Sequence, residues 1–538
     1  MSTEESQKQI TNPASGDASC GTTHSMARQG GVVASMTLLS RISGLARDVL
    51  LSYLFGASQF ADMFFVAFRI PNFFRRLFAE GAFNQAFVPV LVRYQARGRA
   101  DLLAFIAPLS GLFASSLCLF VAIGVLFAPA LTYLFAPGFV DDAEMFAQTA
   151  ELVRLTFPYL GFISLTAYAG ALLNAHNRFA LPAFTPVLLN LTLIAAAMIA
   201  IGGFVEATNV VVLAWGVLAA GVVQLLFQLP VLARMGLLPR PRLDAKHEGV
   251  GQVGRLLVPA VLAASAGQIN ALVNTMLAST LTTGSISWLY YADRLLELPV
   301  GLVAVALGTV MLPHLSRMAA QDDPQQFRRT LDWGVNLGLM LGLPAAVALY
   351  LLAEPLIATL FMSFGGSAMT PHDVRMTGYA LEMFAVALPG FVLVKILVPA
   401  FFAHQDTKSP LRYASGAVAA NLLVSLLTFR WFGHVGLAWA TAVSAWVHVV
   451  LLYVGLNRRG LYHATAELWP MFWKTTLSTA VLALVLYMAA GTVPWLSMTP
   501  LVRMGWVGLL VVAGAVLYLG LLALLGVRLR QLNHMSVS

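Results

Sequence analysis

The sequence predicts an all-α polytopic membrane protein with 14 transmembrane helices, arranged as two six-helix lobes in a parallel repeat plus two C-terminal helices. Three observations predict this fold class: the composition, the recurrence of long apolar runs, and the distribution of basic residues between them. Of the 538 residues, 59% are hydrophobic and only 10% are charged, and the mean hydropathy is +0.79. A β-barrel would instead show alternating segments of about 10 residues.

The apolar runs are long enough to cross a hydrocarbon core of roughly 30 Å, which takes about 20 helical residues. Fourteen such runs follow one another along the chain. Their predicted limits are about 30–54, 60–92, 102–128, 146–174, 182–203, 208–233, 251–280, 285–316, 327–353, 376–403, 411–430, 436–456, 467–490 and 501–526.

Basic residues collect in every second loop between these runs. The intervening loops, such as "APGFVDDAE" and "FGGSAMTPHD", contain none. Because Lys and Arg concentrate on the cytoplasmic side, the alternation predicts that both termini are cytoplasmic. The formal net charge of +8 has the same explanation, so it does not indicate nucleic acid.

Short matches suggest an internal repeat. "GALLNAHNRFALP" (170–182) resembles "VPAFFAHQDTKSP" (398–410) with an offset of 228, and "FVPVL" (87–91) resembles "MLPHL" (311–315) with an offset of 224. Six is an even number of spans, so the two halves would share one orientation, as in transporters built from parallel repeats. The predicted organisation is a disordered cytoplasmic leader (1–29), an N-lobe (30–245), a C-lobe (246–460), and spans 13 and 14 with a cytoplasmic tail (461–538).

Ionisable residues inside the spans are concentrated in spans 1, 2 and 8. A charge at the bilayer centre costs about 2.5 to 3.5 kcal/mol on insertion scales, so such residues face a partner or a wet cavity. Arg41 and Asp48 share a helix face, and Arg76 and Glu80 are spaced to pair. The charged residues of these spans are Arg41, Arg47, Asp48, Asp62, Arg69, Arg75, Arg76, Glu80, Asp293, Arg294 and Glu297.

Arg47, Arg75 and Arg294 come from three different spans, and their depths allow the three guanidinium groups to converge on a central cavity. Arginine suits an anionic ligand because its fork donates two parallel hydrogen bonds to phosphate and keeps its proton. The alternative is that these residues pair with the acidic ones and only hold helices together. No Walker A motif, dinucleotide fingerprint or nucleophile elbow is present, and we expect no catalytic and no metal site.

The segments "SMTLLSRISGLARDVLLSYLFGA", "ADMFFVAFRIPNFFRRLFAEGAFNQAFVPVL", "GALLNAHNRFALPAFTPVLLN", "SWLYYADRLLELPVGLVAVALGTVMLPHLS" and "FFAHQDTKSP" together resemble the MurJ (MviN) family of lipid II flippases, within the MOP exporter superfamily. The resemblance runs from about Met26 to Arg530. It implies a transporter of the bacterial inner membrane. Such a transporter moves lipid II, the undecaprenyl-diphosphate-linked disaccharide-pentapeptide of peptidoglycan biosynthesis, from the cytoplasmic to the periplasmic leaflet. It also implies that spans 13 and 14 form a groove for the polyprenyl tail.

By the same resemblance, the central arginines of the family fall on Arg47 in "LARD", Arg75 in "NFFRR" and Arg294 in "YADR". Four further residues match family positions: Arg41, Asp48, Asp62 and Glu80. With Arg76, which is next to Arg75, they complete the predicted set of substrate-binding residues.

Some family members hold sodium between spans 7, 11 and 12. This chain offers Asn421 on span 11 and Gln268, Asn270 and Asn274 on span 7, without a carboxylate on span 11. A hard cation prefers charged oxygen ligands, so we do not expect sodium coupling. We expect no bound cofactor, and the membrane potential or another ion gradient is left open as the energy source.

The function hypothesis is therefore lipid II flipping by alternating access, with the diphosphate on the arginine cluster. Membrane lipids are expected as the other partners, and nucleic acid is not. Two alternatives stay open: a multidrug or cation antiporter of the same superfamily, which would rely on acidic residues, and a membrane enzyme that processes polyprenyl phosphates. An enzyme would change the lipid's structure, whereas a flippase changes only its sidedness.

Overall fold

The structure, a computed structural model, describes residues 18–77, 83–203, 209–362, 366–466 and 468–527. All regular elements in these ranges are helical. The first nine helices are α1 (Ala18–Phe55), α2 (Gln59–Arg75), α3 (Phe83–Arg97), α4 (Arg99–Leu126), α5 (Ala128–Phe135), α6 (Ala143–Thr156), α7 (Tyr159–Ala175), α8 (Ala180–Ile201) and α9 (Asn209–Arg234). The next eight are α10 (Glu248–Ser279), α11 (Ser285–Ala320), α12 (Pro324–Leu351), α13 (Ala353–Phe361), α14 (Pro371–Ala403), α15 (Lys408–Arg458), α16 (Leu468–Ala490) and α17 (Pro500–Leu524).

Long apolar helices dominate the fold. Within the described ranges, nine helical segments are long and apolar enough to cross a membrane. The helices α1, α2 and α11, which carry the charged residues singled out in the sequence, are not among the nine. Within the described residues, each predicted span overlaps one helix or two: span 2 overlaps α2 and α3, span 4 overlaps α6 and α7, and spans 11 and 12 both fall in α15. The count of fourteen crossings stays a prediction.

The 51-residue α15 is two antiparallel helices rather than one. At 1.5 Å per residue a straight helix of this length would far exceed the hydrocarbon core. Gly433 interrupts it with φ 57° and ψ −137°, a left-handed conformation that glycine adopts without steric cost. The Ser444 hydroxyl donates to the Ala417 carbonyl oxygen at 2.7 Å, a contact between residues 27 positions apart that only a reversal of direction permits. The predicted separation of spans 11 and 12 is therefore observed.

The internal repeat is visible in the helix ends. Asn177 and Gln405, 228 positions apart, have φ of 60° and 58°, and Gly236 and Gly460, 224 positions apart, have φ of 65° and 70°. At each of these four residues the N–H bonds the carbonyl three positions back, and the following N–H bonds the carbonyl five positions back. This is the Schellman arrangement, which ends a helix in a left-handed residue. These paired helix ends, at offsets of 228 and 224, agree with the predicted repeat, which stays a prediction.

Residues 18–29 differ from the prediction of a disordered leader. The helix α1 begins at Ala18 and runs into the first predicted span without interruption. Adding residues to an existing helix costs little compared with starting one, and no proline lies between Ala18 and the apolar run. Residues 1–17 lie outside the described ranges.

Two groups of helices form the halves. In the first, α8 packs on α1 and α9, and α7 packs on α9; in the second, α14 packs on α11, α12 and α15. The last pair joins the second half through α12, which contacts α16, and through α13, which contacts α17.

A proline of α12 helps to hold this last pair. Pro344 has no N–H for the carbonyl of Met340, four positions back. The Tyr518 hydroxyl of α17 donates to that carbonyl oxygen at 2.7 Å, so the pair docks on a backbone acceptor that the helix itself leaves unbonded.

Candidate functional site

A cavity of about 370 Å³ lies between the halves. Residues of α1, α2 and α8 line it from the first half, and residues of α10 and α11 line it from the second. Six arginines and three carboxylates face it, a formal excess of three positive charges. They are Arg41, Arg47, Arg69, Arg75, Arg76 and Arg294, with Asp48, Asp293 and Glu297. An arginine-rich chamber of this kind favours an anionic ligand.

Asp48 is the centre of the charged network. It is fully buried, and its Oδ1 accepts hydrogen bonds from Arg47 Nε at 2.9 Å and Nη2 at 2.7 Å. Its Oδ2 lies 3.1 Å from Arg294 Nε, but at an angle that does not make a hydrogen bond. Arg47 is 4% exposed and Arg294 is 30% exposed. The carboxylate therefore holds Arg47 tightly and Arg294 loosely.

Two neutral residues complete this network. The Tyr290 hydroxyl donates to Asp48 Oδ1 at 2.9 Å and accepts from Arg47 Nη2 and Arg294 Nη2. Asn190 of α8 accepts from Arg47 Nη1 at 2.9 Å, so Arg47 has partners at all three guanidinium nitrogens. Sequence reasoning missed both residues. Tyr290 lies in the quoted "YADR" motif, whereas Asn190 carried no signal apart from being an amide inside an apolar span.

Arg41 forms a second link between the halves. Its Nη1 donates to the Glu297 carbonyl oxygen of α11 at 2.8 Å, while the Glu297 carboxylate pairs with Arg294 Nη1 at 2.8 Å. Gly301 is one turn further along α11, where an added Cβ would collide with the Arg41 guanidinium. A side chain at this position would therefore have to displace the Arg41 guanidinium from its place against α11.

Arg75 and Arg76 end α2 at the cavity. Arg75 is half-buried, and its Nε donates to Asn72 Oδ1 at 3.0 Å. Arg76 is exposed. Glu80, the predicted partner of Arg76, lies outside the described residues.

Asp62 does not line the cavity. It is 2% exposed and accepts from the Gly284 N–H at 2.7 Å, the Ser287 N–H at 2.9 Å and the Ser287 hydroxyl at 2.5 Å. These donors belong to the first turn of α11, where backbone N–H groups lack helical partners and favour a negative charge. Asp62 therefore joins α2 of the first half to the start of α11 in the second.

Two of the amides weighed above as sodium ligands, Asn274 and Asn421, lie at an uncharged position. Asn274 of α10 and Asn421 of α15 both donate to the Thr441 hydroxyl, at 3.4 and 3.5 Å. Their amide oxygens are buried without a hydrogen-bond partner. The described residues contain no group of three acidic, histidine or cysteine side chains that could hold a metal ion. Neutral oxygens alone fit a hard cation poorly.

Comparison with known proteins shows which family this chain resembles. The family model described as "Lipid II flippase MurJ" matches residues 51–504. The chain is 42% identical over 520 residues to a probable lipid II flippase MurJ of Vibrio cholerae, covering 94% of this chain and 97% of that protein. It is 39% identical to the lipid II flippase MurJ of Burkholderia cenocepacia, covering 92% and 96%.

Two solved structures have folds similar to that of this chain. A lipid II flippase MurJ in an inward closed conformation superimposes with a TM-score of 0.78 at 25% identity, covering 91% of this chain and 98% of that one. An inward-facing multidrug resistance MATE transporter of the MOP superfamily superimposes with a TM-score of 0.62 at 15% identity, covering 80% and 98%. The second similarity shows the shared fold alone.

Proposed function

This chain belongs to the lipid II flippase MurJ family, and we propose that it flips lipid II through the cavity between its two halves. It is a transporter and not an enzyme. The observation that carries the proposal is that arginines of α1, α2 and α11 face one chamber with an excess of positive charge. The ligand suited to that chamber is a lipid diphosphate, whose oxygens accept paired hydrogen bonds from guanidinium groups.

The ion pairs suggest how the diphosphate binds. Without substrate, Asp48 compensates both Arg47 and Arg294. Arg294 is partly exposed and its bond to Asp48 is misaligned, so a phosphate can take over its donors at little cost. Arg47 stays with Asp48 and keeps the carboxylate from repelling the ligand. Arg75 approaches from α2 and supplies a further guanidinium to the same chamber.

Alternating access requires contacts between the halves that break in turn. In the predicted orientation, α1 runs outward, so the start of α2 lies on the periplasmic side. The contacts of Asp62, near the start of α2, with the start of α11 therefore close the periplasmic side. Arg41 closes the chamber further in, where it donates to the Glu297 carbonyl oxygen. We propose that the lobes 30–245 and 246–460 rock about these contacts, while the polyprenyl tail stays in lipid beside α16 and α17. The proposed location is the inner membrane with both termini in the cytoplasm.

The energy source in this proposal is not sodium. The cluster of Asn274, Asn421 and Thr441 offers neutral oxygens only, so no transport step is assigned to a bound cation. The membrane potential acts on any charge moved across the bilayer, at about 2.3 kcal/mol per charge per 100 mV, and is the simplest remaining source.

Cells that depend on this gene provide the test. Arg294→Ala is expected to stop growth and to leave lipid II in the cytoplasmic leaflet. Arg294→Lys, which keeps the charge, should retain only part of the wild-type transport. The matched control is Arg430→Ala, because Arg430 is exposed and lies outside the cavity. Normal lipid II sidedness with Arg294→Ala would refute the assignment. A change in the lipid's mass would instead indicate an enzyme, and cation efflux without flipping would indicate an antiporter.

A further inference from the structure

The two halves meet at equivalent positions. Phe65 of α2 and Tyr290 of α11 are 225 positions apart, within the 224 to 228 offset of the repeat, and their rings stack with centroids 3.9 Å apart. When two equivalent residues of a repeat touch each other, the pseudo-two-fold axis that relates the halves passes between them. The axis therefore runs beside the cavity that both residues line.

Arg69 and Arg294 are separated by the same 225 positions. Each follows its aromatic residue by four positions, one helical turn, and each reaches from the second long helix of its own half to the first helix of the other half. Arg294 Nε lies 3.1 Å from Asp48 Oδ2 of α1. Arg69 Nη1 donates to Thr275 Oγ1 of α10 at 2.8 Å. Asp48 and Thr275 are 227 positions apart, so the two contacts are related by the same repeat.

The chemistry of the two contacts differs. Asp48 is a carboxylate and compensates the charge of Arg294, whereas Thr275 is a buried hydroxyl that accepts from Arg69 and donates to the Ala271 carbonyl oxygen at 2.6 Å. Among the described residues, no carboxylate forms an ion pair with Arg69. Asp293, which also lines the cavity, attracts Arg69, but Arg76 and Arg294 repel it. Arg69 therefore keeps charge for a ligand.

We propose that the diphosphate of the transported lipid straddles the pseudo-two-fold axis, with one phosphate on Arg294 and the other on Arg69. This inference rests on the proposed function and adds to it Arg69, which was not among the substrate-binding residues predicted from the sequence. A diphosphate has its own approximate two-fold symmetry about the bridging oxygen, and an anion between two guanidinium groups relieves their mutual repulsion. Thr275 determines the outcome, because Arg69 already donates an aligned hydrogen bond to it, and a carboxylate there would neutralise Arg69 as Asp48 neutralises Arg47.

Two lipids that differ by one phosphate test the inference: undecaprenyl diphosphate and undecaprenyl phosphate, titrated into the purified full chain and measured by native mass spectrometry. The wild type is expected to prefer the diphosphate. Arg69→Gln should weaken diphosphate binding roughly 10-fold or more, the effect of one charge-assisted hydrogen bond, and should leave monophosphate binding within about threefold. Thr275→Asp should act in the same way, while the neutral isostere Thr275→Asn should stay near the wild type.

The outcomes separate the possibilities. If Arg69→Gln keeps the full preference for the diphosphate, the inference is wrong. If Thr275→Asn weakens binding as much as Arg69→Gln, the Arg69 contact only ties the halves together. If the wild type binds neither undecaprenyl diphosphate nor lipid II more tightly than a neutral lipid, the proposed function fails instead. Should Arg69→Gln not fold, the comparison of Thr275→Asp with Thr275→Asn carries the test alone.

Discussion

Replacing Asp48 with Asn should strongly destabilise the protein. Asp48 is fully buried and Arg47 is 4% exposed, so the substitution leaves Arg47 as a buried charge without its carboxylate. Removing one partner of a buried ion pair costs about 3–5 kcal/mol. Arg294 adds less to this cost, because it is 30% exposed and still pairs with Glu297.

A denaturant titration in detergent micelles measures the effect as a change in the free energy of unfolding. Two companion variants sharpen it. Asp406→Asn breaks a surface ion pair with Arg459, which is 43% exposed, and should cost about 0–1 kcal/mol. The double variant Arg47→Gln with Asp48→Asn removes both charges and should recover most of the loss, since neutral replacements of buried pairs are often tolerated.

The reasoning fails if Asp48→Asn unfolds at the same denaturant concentration as the wild type. It also fails if the double variant is less stable than Asp48→Asn alone. Either result would mean that water reaches this site or that Arg47 finds another anion, contrary to the burial of both side chains.

Three further predictions concern other parts of the fold. Gly301→Ala should displace the Arg41 guanidinium and lower lipid II transport severalfold. Gly254→Ala is the control and should leave transport unchanged, because the space around Gly254 is open; a lipid II flipping assay in proteoliposomes measures both variants. Tyr518→Phe should cost about 0.5–1.5 kcal/mol, and less in a Pro344→Ala background, where the freed carbonyl regains a helical partner; denaturant titration of the four chains measures this. Burial opposes ionisation of Asp406, but hydrogen bonds from Ser409 and Arg459 together outweigh it and lower its pKa to about 2 from 3.8. The stabilisation that Asp406 provides should be present above about pH 4 and be lost as the pH falls through about 2, and a pH titration of the unfolding free energy of wild type against Asp406→Asn measures this.

Much of the fold followed from the sequence because hydrocarbon imposes simple rules. A span must be long and apolar, and a loop must be polar, so the predicted spans coincide with described helices. The repeat was detectable because helix ends need particular residues: "NAHNR" and "AHQD" end helices in the same left-handed conformation. Residues 18–29 were predicted incorrectly, since their polar composition does not prevent helix from extending out of span 1.

The site was harder to predict, because helical periodicity gives a face but not a partner. Arg41 and Asp48 share a face by spacing, yet Arg41 bonds α11 and Asp48 bonds Arg47 and Arg294. Adjacent residues on a helix rarely face each other, so the pairing of Arg47 with Asp48 was unexpected. These choices depend on tertiary contacts that no single helix encodes.

The three arginines Arg47, Arg75 and Arg294 do line one cavity, as their depths suggested. Asp62 lies apart from it and caps the first turn of α11, a role that its sequence neighbourhood did not reveal. Contact between the arginines and substrate stays a prediction.

The most direct test of the central claim is a structure of this protein with lipid II bound in a lipid nanodisc. The account predicts density for the diphosphate between the two halves, within hydrogen-bond distance of Arg294 and Arg75. Diphosphate density that lies outside this cavity, with the cavity arginines still held only by their protein partners, would contradict it.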